Sequence, residues 1–147
     1  PTLGGGWTTL LEHCTATGDL AELKIAARGA LAHERGPGNR QAAALLLAEL
    51  ADAPAVGVQY LEAAADARPK DLSTQLRLAR AARFSRRPDL VRAGMQSAAA
   101  IASADAPDHT FTLSLRYRAA RAAESAGDLA TADAGYAELL ARDARYE

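Results

Sequence analysis

The sequence is poor in the residues that build disulfides and sheets. Of its 147 residues one is a cysteine, Cys14, and Phe, Trp and Tyr together make up 5%. A single cysteine excludes an internal disulfide, and the small number of aromatic and β-branched residues argues against a β-sheet. The formal net charge is −1, so the chain as a whole has no electrostatic preference for nucleic acid or for a membrane surface.

Long hydrophobic runs are also missing from the sequence. Since no stretch of about 18 apolar residues occurs, we predict no membrane-spanning helix. No signal peptide is visible, and a chain that starts at Pro1 suggests an excised or processed polypeptide, in which any targeting segment could have been lost. We expect a soluble protein, in the cytoplasm or the periplasm, with residues 1–6 as a glycine-rich linker.

Alanine, in contrast, is abundant and makes up about a quarter of the chain. It is the strongest helix former, and the apolar residues between successive turn signals recur at helical spacing. We therefore predict an all-α protein of eight helices with short connections. Asp19 and Asp128 are the predicted N-caps of the second and eighth helices, and Asp71, Ser73 or Thr74 can cap the fifth. Breaks between helices are predicted at Gly18, 36–39, 52–54, 69–71, 85–89, 106–108 and Gly127. The third helix is predicted to start after Asn39 and the fourth at Ala55.

One phrase occurs twice in the chain. TGDLAELKIAARGAL begins at Thr17, and AGDLATADAGYAELL begins at Ala126. The predicted turns within helix pairs fall at residues 18, 52, 88 and 127, which are 34, 36 and 39 positions apart. A helix–turn–helix unit that recurs with a period of about 34 residues is typical of tetratricopeptide repeats.

Individual positions carry the same pattern. The residues that match the tetratricopeptide motif are Trp7, Gly18 and Asp19 in the first unit, Ala64 and Pro69 in the second, and Gly127, Asp128, Ala132, Tyr136 and Leu139 in the last. On these residues the chain resembles the tetratricopeptide-repeat family over nearly its whole length. It departs from the family in the second and third units, which lack the turn glycine, and at Ala144, where the family has proline.

The resemblance implies a single domain over 7–147. It would be an α-solenoid of about four antiparallel helix pairs (7–35, 39–68, 71–104 and 109–146) in a right-handed superhelix. The first helix of each pair would line a concave groove. An irregular antiparallel helical bundle and another kind of α-solenoid are the alternatives.

Arginines recur on the helices that would line this groove. Arg77, Arg80 and Arg83 occupy the same internal positions of the third unit as Arg118, Arg121 and Glu124 of the fourth. In a stacked array Arg80 would neighbour Arg121, and Arg77 would neighbour Arg118. Because guanidinium groups suit carboxylates, and some members of the family bind acidic or C-terminal segments, we predict a peptide-binding groove at Arg77, Arg80, Arg83, Arg118 and Arg121. The alternative is that these arginines are merely solvated.

No constellation of residues indicates chemistry. His13 and Cys14 are neighbours on a helix, so their side chains point about 100° apart and do not form a nucleophile–base pair. No Cys/His spacing suits zinc. Between Arg68 and Arg92 the chain is basic but contains one aromatic residue, Phe84, which argues against nucleic-acid binding by stacking. We predict a module without enzymatic activity, cofactor or metal, which binds an acidic peptide or another protein. A structural segment of a longer repeat array, in a secretion, polysaccharide-export or regulatory assembly, is the alternative.

Overall fold

The prediction of an all-α protein is confirmed. A computed structural model describes residues 6–143, and this range contains eight helices and no strand. The helices are α1 (Gly6–Thr17), α2 (Leu20–His33), α3 (Pro37–Glu49), α4 (Pro54–Ala67), α5 (Leu72–Phe84), α6 (Pro88–Asp105), α7 (Thr110–Ser125) and α8 (Leu129–Asp143). Residues 1–5 of the predicted linker, the Trp7 side chain and Ala144 lie outside the described part, and Gly6 is the first residue of α1.

The chain divides into two compact units. The first ends at Pro69 and holds α1–α4, and the second begins at Lys70 and holds α5–α8. Within each unit every helix packs against the next one along the chain. The pairs predicted at 7–35 and 39–68 fall in the first unit, and those at 71–104 and 109–146 fall in the second. The solenoid, its superhelical hand and the single domain over 7–147 stay predictions.

Three helices begin earlier than the sequence predicted, because proline opens each of them. Pro37, Pro54 and Pro88 occupy the first turns of α3, α4 and α6. Proline fits this position since its N–H is not needed there and its φ already suits a helix. The predicted start of the third helix after Asn39 was therefore wrong by about a turn, and the predicted break at 85–89 contains the start of α6.

Small residues set the spacing of the helices in the second unit. A Cβ atom added to Gly94 on α6 would lie 3.0 Å from the Ala79 Cβ atom and 3.0 Å from the Gln75 carbonyl oxygen, both on α5. A Cβ atom added to Gly135 on α8 would lie 3.0 Å from the Ala120 Cβ atom on α7. The two helix pairs therefore use the same glycine-on-alanine contact, 41 positions apart.

The turn between α7 and α8 is fixed by Asp128. Its carboxylate accepts from the Thr131 backbone N–H at 3.2 Å and forms an ion pair with Arg92 at 2.6 Å. Hydrogen bonds from the Thr131 hydroxyl and N–H, followed by the Arg92 guanidinium, lower the pKa of Asp128. The ionised carboxylate therefore stabilises the folded state.

We expect Asp128→Asn to lower the unfolding temperature at neutral pH and to have little effect in strong acid. Because the folded pKa is lowered, the contribution of the carboxylate is complete above its unfolded pKa of about 3.9 and is lost as the pH falls through the folded value. Asparagine still caps α8, so the substitution removes mainly the charge. Thermal unfolding followed by circular dichroism across acid pH tests this, and a gap between variant and wild type that is constant with pH contradicts it.

Candidate functional site

An open cleft of about 980 Å³ lies in the second unit, among α5, α6 and α7. We call it the arginine cleft, since six of the described residues that line it are arginines and none of them is acidic. Its arginines are Arg80, Arg83, Arg86, Arg87, Arg118 and Arg121, and its larger apolar and aromatic residues are Leu76, Phe84, Val91, Met95 and Tyr117.

Four of the five predicted site residues meet in this cleft. Arg80 and Arg83 reach it from α5, and Arg118 and Arg121 reach it from α7. Arg77 is exposed on α5 but does not line the cleft. It lies six residues before Arg83, which places the two side chains about 120° apart around the helix. The cleft therefore does not include the predicted Arg77–Arg118 step.

Other lining residues were missed at the sequence level. Arg86 and Arg87 lie in the connection between α5 and α6, which was interpreted only as a break. Phe84, at the end of α5, and Tyr117, on α7, also line the cleft, and neither is among the predicted site residues. The clustering of Arg83, Phe84, Arg86 and Arg87 at one helix end was the available signal.

Five of the six cleft arginines have no acidic partner among the residues that the structure describes. Arg87 forms an ion pair with Asp89, with 2.8 Å between its terminal nitrogen and a carboxylate oxygen. Within the described part of the chain, the other five make no ion pair. Three arginines elsewhere in the same unit are paired with acids: Arg92 with Asp128, Arg116 with Glu138, and Arg142 with Asp108. The cleft therefore concentrates positive charge that the fold itself does not neutralise.

Apolar surface lies beside this charge. Met95 and Ala79 are buried at the base of the cleft, and Val91 is half-buried. Phe84 and Tyr117 are 75% and 49% exposed. The cleft thus offers apolar contact area surrounded by guanidinium groups.

A neighbouring tyrosine positions one wall of the cleft. The rings of Tyr117 and Tyr136 have their centroids 6.1 Å apart and are tilted by 54°, a favourable aromatic arrangement. The Tyr136 hydroxyl donates to the Glu124 carboxylate at 2.9 Å. Burial and this carboxylate raise the pKa of Tyr136. Glu124, which occupies the position equivalent to Arg83, is therefore bonded to tyrosine and does not line the cleft.

The lining groups suit binding better than proton transfer. Arginine remains protonated at all physiological pH values, so it holds anions but does not act as an acid or a base. Within residues 6–143, no group of three or more His, Cys, Asp or Glu could hold a metal ion. Cys14 is fully buried with its thiol 3.9 Å from a Glu22 carboxylate oxygen, and burial, followed by Glu22 and Asp19, raises its pKa.

No protein-family model matches the sequence, and no curated protein matches it. The resemblance to tetratricopeptide repeats therefore rests on the chain's own residues and stays a prediction. In the part of the chain that the structure describes, no helix is both long and apolar enough to cross a membrane.

Proposed function

We propose that the protein is an interaction module whose arginine cleft binds an acidic peptide segment of a partner protein. The proposal rests on one observation, that the arginines of the second unit differ in whether they form ion pairs. Arg92, Arg116 and Arg142 have acidic partners, whereas five of the six cleft arginines have none among the described residues. Grouped like charges are unfavourable in the free protein, and an anionic ligand relieves that repulsion.

The apolar part of the cleft restricts which kinds of anionic ligand fit it. Phe84 and Tyr117 offer exposed aromatic surface, and Val91 and Met95 form an apolar base. Aromatic and arginine residues are the types that dominate binding energy at protein interfaces. A segment with glutamates or aspartates on both sides of one large apolar side chain matches this arrangement. A nucleic acid would match the charge but not the apolar base.

The double variant Arg80→Ala/Arg121→Ala tests the proposal. Each arginine comes from a different helix, α5 or α7, and each is exposed. We expect the variant to bind a short peptide with glutamates flanking a single leucine at least about tenfold more weakly, since two charge-assisted contacts are lost. Isothermal titration calorimetry measures the affinity. Arg35→Ala/Arg40→Ala in the first unit removes the same charge from exposed positions and is expected to leave it unchanged.

The same titration separates the proposal from its competitors. Equal weakening by the two double variants would mean that net charge, and not the cleft, attracts the peptide. A single-stranded oligonucleotide of equal charge that binds more tightly than the peptide would favour a nucleic-acid ligand. Unchanged affinity in Arg80→Ala/Arg121→Ala would contradict binding in the cleft.

A structural role in a longer helical array is the second candidate function. Leu140 on α8 is 70% exposed. It lies 41 positions after Ala99 on α6, which is buried in the core that α7 completes. The face of α8 that includes Leu140 thus resembles one that a further helix would cover. Concentration-dependent association in sedimentation velocity, without affinity for the peptide, would favour this candidate.

A further inference from the structure

Arg86 has an unfavourable backbone conformation for its residue type. Its φ is 55°, and it is the one non-glycine residue with positive φ within residues 6–143. Residues with a Cβ atom are strained in this left-handed region, and the few that occur there are most often Asn, Asp or His. A left-handed residue commonly closes the turn after a helix, but glycine is the residue usually found there.

The equivalent turn between α7 and α8 shows which residue this geometry favours. After α5, the Arg87 N–H donates to the Ala82 carbonyl at 2.9 Å and the Arg86 N–H to the Arg83 carbonyl at 3.3 Å. After α7, 41 positions later, the Asp128 N–H donates to the Ala123 carbonyl at 2.9 Å and the Gly127 N–H to the Glu124 carbonyl at 3.0 Å. The residue equivalent to Arg86 is Gly127, with a φ of 81°. Glycine adopts this conformation without strain.

The Arg86 side chain contributes no hydrogen bond or ion pair to the part of the fold that the structure describes. The residue is exposed, and its guanidinium group forms no ion pair with any described acidic residue. It lines the arginine cleft at the end where α5 stops. Glycine at this turn would relieve the strain but would remove one positive charge from that end of the cleft.

We propose that Arg86 is a binding residue of the cleft, which contacts a carboxylate of the acidic peptide, and that its strained backbone is the cost of placing a guanidinium group there. The proposal rests on the function proposed above for the cleft. Strained backbone conformations cluster at ligand-binding sites, where the surrounding structure holds them in place. Here the hydrogen bonds of the turn provide that constraint, and they are the same bonds that the relaxed glycine turn makes.

The substitution Arg86→Gly tests both parts of the proposal at once. We expect the unfolding temperature to rise by about 2–4 °C, because the strain is removed. We expect the affinity for the glutamate-flanked leucine peptide to fall about five- to tenfold, because a charge-assisted contact is lost. Thermal unfolding and calorimetry on the full chain measure the two effects.

Two further variants separate backbone from side chain. Arg86→Ala keeps a Cβ atom, so we expect it to weaken binding equally without the gain in unfolding temperature. Arg86→Lys keeps the charge and the strain, and it should retain part of the affinity. Gly127→Ala, which introduces a Cβ atom into the equivalent turn, should lower the unfolding temperature.

Each outcome of these measurements decides the proposal. Suppose that Arg86→Gly binds the peptide with wild-type affinity while Arg80→Ala/Arg121→Ala binds it more weakly. The cleft is then still the peptide site, but Arg86 is not one of its binding residues. An unchanged or lowered unfolding temperature in Arg86→Gly overturns the strain argument. A wild-type protein that does not bind the peptide overturns both this inference and the proposed function.

Discussion

Leu115→Ala is expected to destabilise the second unit by about 3 kcal/mol. Leu115 is 1% exposed and belongs to the core between α6 and α7. Most of its buried neighbours in that core are alanines, whose single methyl groups cannot turn to fill the space left by a lost isobutyl group. The cost therefore includes a cavity as well as the lost transfer of apolar surface from water.

Urea denaturation followed by circular dichroism measures this loss. Leu140→Ala is the matched control, since the same side chain is removed from a position that is 70% exposed. We expect the control to change the free energy of unfolding by no more than about 0.5 kcal/mol. If Leu115→Ala lowered the free energy of unfolding by less than about 1 kcal/mol, the helices would have to move together and fill the cavity. The tight packing at Gly94 argues against such a movement.

Local signals explain why much of the fold could be predicted from the sequence. Asp19 caps α2 as predicted, and Asp71, one of the three predicted candidates, caps α5. Their side chains accept from backbone N–H groups two or three residues later. A capping interaction of this kind involves only residues within one helical turn, so a sequence pattern is enough to find it. Proline was less informative, because the same residue ends one segment and opens the next. Pro37 and Pro54 open their helices at positions that were predicted to be breaks.

The candidate site was only partly predictable for a different reason. The spacing of Arg80 and Arg83, and of Arg118 and Arg121, follows from helix geometry, and these four residues line one cleft. Which residues of the α5–α6 turn join them depends on how α7 packs against α6, a contact between residues distant in sequence. The positive φ of Arg86 could not be predicted either. The third unit lacks the turn glycine, and this absence predicted an irregular turn. The structure instead has the same turn, with a strained residue in place of glycine.

Gly94→Val is expected to destabilise the second unit by about 2–3 kcal/mol. The new Cβ atom would lie 3.0 Å from the Gln75 carbonyl oxygen and 3.3 Å from the Ala79 backbone nitrogen, and the two methyl groups of valine add further overlap. Both atoms belong to the backbone of α5, so they cannot move aside without moving the helix. Val91 and Met95 lie on α6 to either side of Gly94 and form the base of the arginine cleft. Peptide affinity should therefore fall together with stability.

Gly135→Val is the internal control for this prediction, because Gly135 occupies the equivalent position on α8. Its added Cβ atom would meet the Ala120 Cβ atom at 3.0 Å, but the nearest backbone atom, the Ala120 Cα, is 3.7 Å away. We expect a smaller cost, of about 1 kcal/mol, and a smaller loss of peptide affinity, since among the described residues α8 reaches the cleft only through the contact of Tyr136 with Tyr117. Urea denaturation and calorimetry on both variants measure the two effects. If Gly135→Val were the more damaging substitution, close approach of backbone at Gly94 would not be what sets the spacing of α5 and α6.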